Sequence, residues 1–103
     1  LLFDHDKFIL KENAVEDLDF LLDIIKVNYK STIKIIGHTD NDGDEKHNLE
    51  LSKKRANSVS EFLKSNKVKN KIISIGMGET EPKYENNTKQ NKMKNRRVEI
   101  FIN

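Results

Sequence analysis

The sequence contains no cysteine and no tryptophan, a single proline (Pro82), and only four glycines in 103 residues. Without cysteine there can be no disulfide and no thiolate metal site, so the fold rests on packing and the redox compartment is left open. No apolar run approaches the ~20 residues that cross a bilayer as a helix. An excess of one charge is missing too: 19 Lys and Arg stand against 17 Asp and Glu, a formal net charge of +2. Such a balance argues against a dedicated nucleic-acid binder, which carries a strong basic excess. What is present is polar, with hydrophobic and charged residues each at 35%, yet the apolar residues are periodic, which argues against disorder. A chain this short buries only about two-thirds of the surface its unfolded form exposes, so its core is small. Residues 1–103 are expected to form a single domain. The chain opens on Leu1-Leu2-Phe3 with neither Met nor a signal-like segment. It is therefore expected to come from a longer protein whose anchor or targeting signal lies elsewhere.

The apolar pattern predicts the order β-α-β-α-β-loop-β. Leu1 to Asp4 is a short strand candidate, and Asn13 a candidate N-cap for a helix from Ala14 to Asn28. Ala14, Leu18, Leu21, Leu22, Ile25 and Tyr29 share one helical stripe. Thr32 to Gly37 is a β-branched strand ending at glycine, followed by the turn signal Asn41-Asp42-Gly43. A second helix is expected from Glu45 to Ser65 and a buried strand from Lys71 to Met77. Gly78 to Lys94 is a polar loop with room for one helical turn. Val98, Ile100 and Ile102 alternate in a half-buried strand from Arg96 to Ile102. This order implies an α+β fold, a four-stranded sheet with helices packed on one face.

The second helix carries the most informative pattern. At about 100° per residue, Leu49, Leu51, Ala56, Val59, Phe62 and Leu63 occupy an arc of about 160°. Asn48, Ser52 and Arg55 lie inside that arc, all toward its N-terminal half. A buried arginine is costly unless paired, and its planar fork suits two-point binding of a carboxylate. An internal ion pair with Asp40 or another acid is one explanation. A pocket lined by Asn48 and Arg55 is the other, and the wheel does not choose between them. The preceding loop, Gly37-His38-Thr39-Asp40-Asn41-Asp42-Gly43, offers the complement: a carboxylate there can accept from an ammonium while Arg55 holds a carboxylate. Together they would form a receptor for a zwitterionic amino acid.

Gly37-His38-Thr39-Asp40-Asn41, Gly43, Asn48, Leu51-Ser52, Arg55-Ala56 and Val59 resemble the signature of the OmpA-like peptidoglycan-binding domain. Gly76, Gly78-Glu79, Pro82, Asn86, Thr88 and Asn95-Arg96-Arg97-Val98-Glu99 continue the match in order. The family includes OmpA C-terminal domains, Pal lipoproteins and MotB-type stator domains. The resemblance implies an OmpA-like βαβαββ sandwich with a four-stranded mixed sheet and two long helices on one face. It also implies non-covalent, non-enzymatic binding of peptidoglycan through the diaminopimelate of the stem peptide. Asp40 and Arg55 match the positions that hold the amino-acid end of that residue, and Asn48 and Thr39 match further pocket positions. Arg96 is favoured over Arg97 because it shares strand phase with Val98 and Ile100, and Asp4 resembles an acidic position bordering the pocket. No cofactor or metal is implied. The expected setting is the periplasm, tethered to the outer membrane through a missing N-terminal anchor, with a homodimer left open. On this reading Arg55→Ala and Asp40→Ala abolish wall binding in a folded domain.

Competing functions are weaker. Asp40, Asp42 and Asp44 alternate like a calcium loop, but the sixth and twelfth positions are Glu45 and Leu51 rather than Gly and Glu. His5, His38 and His47 could supply a base, yet no nucleophile elbow or His-Glu-x-x-His motif accompanies them. The aromatic residues do not interleave with the basic run Lys89, Lys92, Lys94, Arg96 and Arg97 as a base-stacking platform requires. The alternative on the same fold is a protein-interaction module, in an envelope complex or of stator type, without wall binding. Retention of both Asp40 and Arg55 counts against it.

Overall fold

The computed structural model describes all 103 residues. Its elements run α1 (Glu12–Val27), β1 (Ile33–Gly37), α2 (Glu45–Ser65), β2 (Ile72–Gly76), α3 (Lys89–Asn95) and β3 (Val98–Ile102). The sheet has three strands in the order β2-β1-β3, with β1 parallel to β2 and antiparallel to β3. The parallel pair needs a crossover, and α2 supplies it. Ile33 and Ile35 point from the central strand into the core while Lys34 and Ile36 are half-exposed on the other side. Leu18, Leu22 and Ile25 of α1 and Ala56, Val59 and Leu63 of α2 meet Ile33, Ile35, Phe3 and Val98 in one apolar cluster. The two long helices thus cover a single face of the sheet, and the architecture is two layers, α+β.

The expected fourth strand is reduced to an isolated bridge, Leu2 with Arg97. Val98 N–H donates to Leu1 O and Phe3 N–H to Arg96 O (both 2.9 Å), but the chain turns away at Asp4 and no ladder develops. Other expectations shift at the ends. Helix α1 starts at Glu12 behind Lys11, which makes no side-chain cap, so Asn13 lies inside the helix. Tyr29 falls beyond its end and is 61% exposed. Helix α2 spans Glu45–Ser65 as the pattern predicts, and Asp44 caps it by accepting from His47 N–H at 2.7 Å. Strand β2 is an edge strand, half-exposed instead of buried. The polar loop contains a seven-residue helix, α3, capped by Thr88.

Two glycines set how closely α2 lies on the strand ends. A Cβ on Gly37 would collide with the Ser52 carbonyl, and one on Gly76 would lie 2.6 Å from Ser52 Oγ. The C-terminal ends of β1 and β2 therefore press against the turn of α2 that carries Ser52, immediately before Arg55.

Candidate functional site

Beyond Gly37 the chain leaves β1 but stays buried: His38, Thr39 and Asp40 are all nearly inaccessible. Backbone in such a segment must find partners outside a ladder. His38 N–H donates to Arg97 O (2.8 Å) and Thr39 N–H to Gly78 O (2.9 Å). Polar side chains of α2 supply the rest. Asn48 Nδ2 donates to Glu79 Oε1 at 3.0 Å and to Asp40 O at 3.4 Å. Ser52 Oγ accepts from Gly78 N–H at 2.8 Å and donates to Leu49 O at 2.7 Å.

Arg55 is 0% exposed and forms no ion pair with Asp40 or another acid, one of the two explanations of its helical position. Its guanidinium meets three backbone carbonyls: Nε donates to Lys7 O (2.8 Å), Nη1 to His38 O (3.0 Å) and Nη2 to Asp4 O (2.9 Å). The Phe3 ring lies 5.4 Å from its guanidinium carbon. Burial pulls its pKa down to about 10, partly opposed by Asp40, so it stays cationic at neutral pH.

The direct ion partner of Asp40 is Arg96, with Nη1 3.0 Å from Oδ2, while the other carboxylate oxygen accepts from Asp42 N–H at 3.0 Å. Arg96 is fixed by Nε donating to Phe3 O at 3.0 Å and keeps 15% of its side chain exposed. Arg97, one residue on, points elsewhere, toward Glu81 O at 3.0 Å and Glu99 at 3.5 Å. Thr39 donates its hydroxyl to Asp40 O at 2.7 Å. Asp40, Arg55, Asn48, Thr39 and Arg96 are thus brought together, but five surface concavities of about 230–500 Å³ are lined by neither Asp40 nor Arg55. Asp4 joins through its carbonyl alone. Its carboxylate is 65% exposed and turned to Lys11 Nζ at 3.2 Å.

Several neighbours were not singled out in the sequence. Lys92 of α3 is ion-paired: its Nζ reaches Asp42 at 2.9 Å, which lowers the Asp42 pKa and raises its own. His47 Nε2 lies 2.6 Å from Asp6, whose pKa that hydrogen bond lowers. His5 Nδ1 stands 4.0 Å from Asp40 and 3.9 Å from Asp42. The helical phase of α3 could have flagged Lys92, whereas Asp6 and His47 are 41 residues apart and no local pattern joins them. The three aspartates of the apparent calcium loop are engaged otherwise, Asp40 by Arg96, Asp42 by Lys92, and Asp44 as a helix cap.

The profile of the OmpA family matches residues 2–96. The chain is 35% identical over 101 residues to outer membrane porin F of Pseudomonas fluorescens, covering 97% of this chain and 31% of that protein. It is 35% identical over 104 residues to peptidoglycan-binding protein ArfA of Mycobacterium tuberculosis, covering 100% of this chain and 32% of that one. The chain therefore spans about a third of the length of these curated relatives. Among solved structures, the peptidoglycan-associated lipoprotein of Burkholderia pseudomallei superposes with a TM-score of 0.95 at 24% identity, covering 100% of this chain and 88% of that one.

Proposed function

This chain belongs to the OmpA family, and from that premise we propose that it binds peptidoglycan without catalysis, holding the diaminopimelate of the stem peptide at Asp40 and the arginines around it. The observation that carries the reading is the Asp40–Arg96 ion pair, in which a buried carboxylate meets a guanidinium that retains exposed surface. A zwitterionic amino-acid end would enter by separating the two. Its ammonium takes a place on Asp40 and its carboxylate one on Arg96, with Arg55 behind, so one ion pair is exchanged for two. A ligand lacking either charge leaves a buried group unmatched, which is the basis of discrimination. Asn48 and Thr39 hold the Asp40 backbone in register, and Asp4 stands at the rim.

The name of the mycobacterial relative, a peptidoglycan-binding protein, supports this reading. In the whole protein an upstream segment would anchor in the outer membrane, leaving this domain in the periplasm as a tether to the wall. No helix of the chain is long and apolar enough to cross a membrane. The test is titration with meso-diaminopimelate beside L-lysine, followed by amide chemical shifts. The expected result is saturable shifts at Asp40, Asn48 and Arg96 that lysine does not produce, lost in Asp40→Asn, together with pelleting on insoluble peptidoglycan. No response to diaminopimelate or to a muropeptide would move the function to a protein-interaction module on the same fold.

A further inference from the structure

A side chain with no exposed surface cannot touch a ligand, and Arg55 has none. Of its five N–H donors, three are committed, and two of those go to one short segment. Lys7 O takes Nε–H and Asp4 O takes a proton of Nη2. Nε and Nη2 form the side-on edge of the guanidinium, the fork that engages a carboxylate in two-point fashion. The segment Asp4–Lys7 therefore presents two carbonyl oxygens where a ligand carboxylate would place its own.

We propose that Asp4–Lys7 is a strap that must lift for a carboxylate to reach Arg55, and that Asp6 and His47 are positioning residues that hold it closed. This rests on the reading of the site as a carboxylate receptor. One end of the strap is fixed at Phe3, which is in the core and whose backbone pairs with Arg96 in both directions, N–H to O at 2.9 Å and O from Nε at 3.0 Å. Its middle is a turn in which Asp6 sits at φ +55°, a left-handed conformation uncommon for non-glycine residues and least costly for Asp and Asn. There the Asp6 carboxylate accepts a 2.6 Å hydrogen bond from His47 Nε2 on the first turn of α2, and Lys7 N–H closes the turn on Asp4 O at 3.2 Å. Asp4 is tied on the outside by Lys11 at 3.2 Å. The side-chain fastenings are solvent-exposed pairs, which constrain weakly, whereas Arg55 is enclosed. Beside the Arg55 bonds to Lys7 O and Asp4 O, closure thus draws on contacts that can be removed without touching the receptor.

A strap that must open lowers apparent affinity by the fraction of molecules open. Weakening its fastening therefore raises affinity. The experiment compares wild type, His47→Ala and Asp6→Asn, measuring meso-diaminopimelate affinity and hydrogen exchange at Arg55 Nε–H. Asparagine tolerates the left-handed backbone and keeps an oxygen for His47, so Asp6→Asn is expected to behave as wild type. His47→Ala is expected to speed exchange at Nε–H in the free protein and to bind severalfold more tightly. Saturating ligand should shift the Nε–H resonance in all three. If His47→Ala binds no better than wild type, and Nε–H stays protected and unshifted in the saturated complex, the strap does not open and the receptor is Asp40 and Arg96 alone. If no variant binds at all, the receptor reading fails and the strap proposal fails with it.

Discussion

The buried face of α2 changes character halfway along, and the two halves hold different parts of the molecule. Ala56, Val59 and Leu63 pack on α1 and the sheet, whose backbone is already satisfied by its own helix and ladders. Asn48, Ser52 and Arg55 are equally inaccessible, but every one ends on backbone outside regular structure: Asp40, Gly78, Lys7, His38 and Asp4. Irregular backbone, when buried, needs donors and acceptors from elsewhere. The polar half of α2 supplies them, and what stands beside the ends of β1 and β2 as a candidate receptor is built from the same network. In this domain a buried arginine is first a substitute for missing secondary structure.

The strongest way to break this contrast is at Arg55. Truncation removes the donor to the buried His38 O and to the part-buried Lys7 O and Asp4 O, of which Asp4 O keeps the Lys7 N–H at 3.2 Å, and each carbonyl left unmatched costs about 1–3 kcal/mol. That is a large share of the ~5–15 kcal/mol that holds a domain together. Arg55→Ala is thus expected to lose much of its stability in urea denaturation, against the sequence-based expectation of a folded, binding-deficient domain. Arg55→Met sharpens the point. Buried ion pairs are often replaced by apolar residues at no loss, but here the partners are backbone and cannot be replaced with it. Arg55→Met is expected to remain destabilised by about 2 kcal/mol or more; stability equal to wild type would show that the carbonyls find other donors. In the apolar half, Leu63→Ala should cost about 3 kcal/mol through lost burial and the cavity left behind, without altering the loop around Asp40.

Much of this was legible in the sequence because its signals are local. The span of α2, the strands around Ile35 and Ile100, and the three polar intruders on one helical face all follow from period and spacing. Strand phase favoured Arg96 over Arg97; the structure places Arg96 on Asp40, but as the residue that ends α3, ahead of the strand. The partners of Arg55 were not legible, since backbone carbonyls carry no residue signature. The fourth strand was misjudged because an apolar run such as Leu1-Leu2-Phe3 does not reveal that the next residues are drawn away toward Arg55. Lys92 stood only as one of a basic run because α3, seven residues long, was read as part of a polar loop.

Ser52 is the milder test of the same contrast. Ser52→Ala deletes the acceptor of the Gly78 N–H while preserving volume, so about 1–2 kcal/mol should be lost, against near-neutrality for Val59→Ile at the apolar end, where fit permits.

The smallest effect is one of pH, and it lies on the opposite face of the loop. His38 is buried, and desolvation together with Arg97 holds its pKa below the usual histidine value, with Glu99, 2.6 Å away, pulling the other way. A histidine whose folded pKa is lowered takes up its proton more readily when unfolded. Its contribution to stability is therefore complete above the unfolded value of about 6.5 and is lost as pH falls through that value toward the folded one. Denaturation midpoints are expected to decline between pH 7.5 and 5.5, above the range in which the lowered carboxyl groups of Asp6 and Asp42 begin to protonate. Glu99→Gln removes the group that raises the His38 pKa, so it should steepen the decline. A decline of unchanged slope in Glu99→Gln would mean that a group other than His38 sets it.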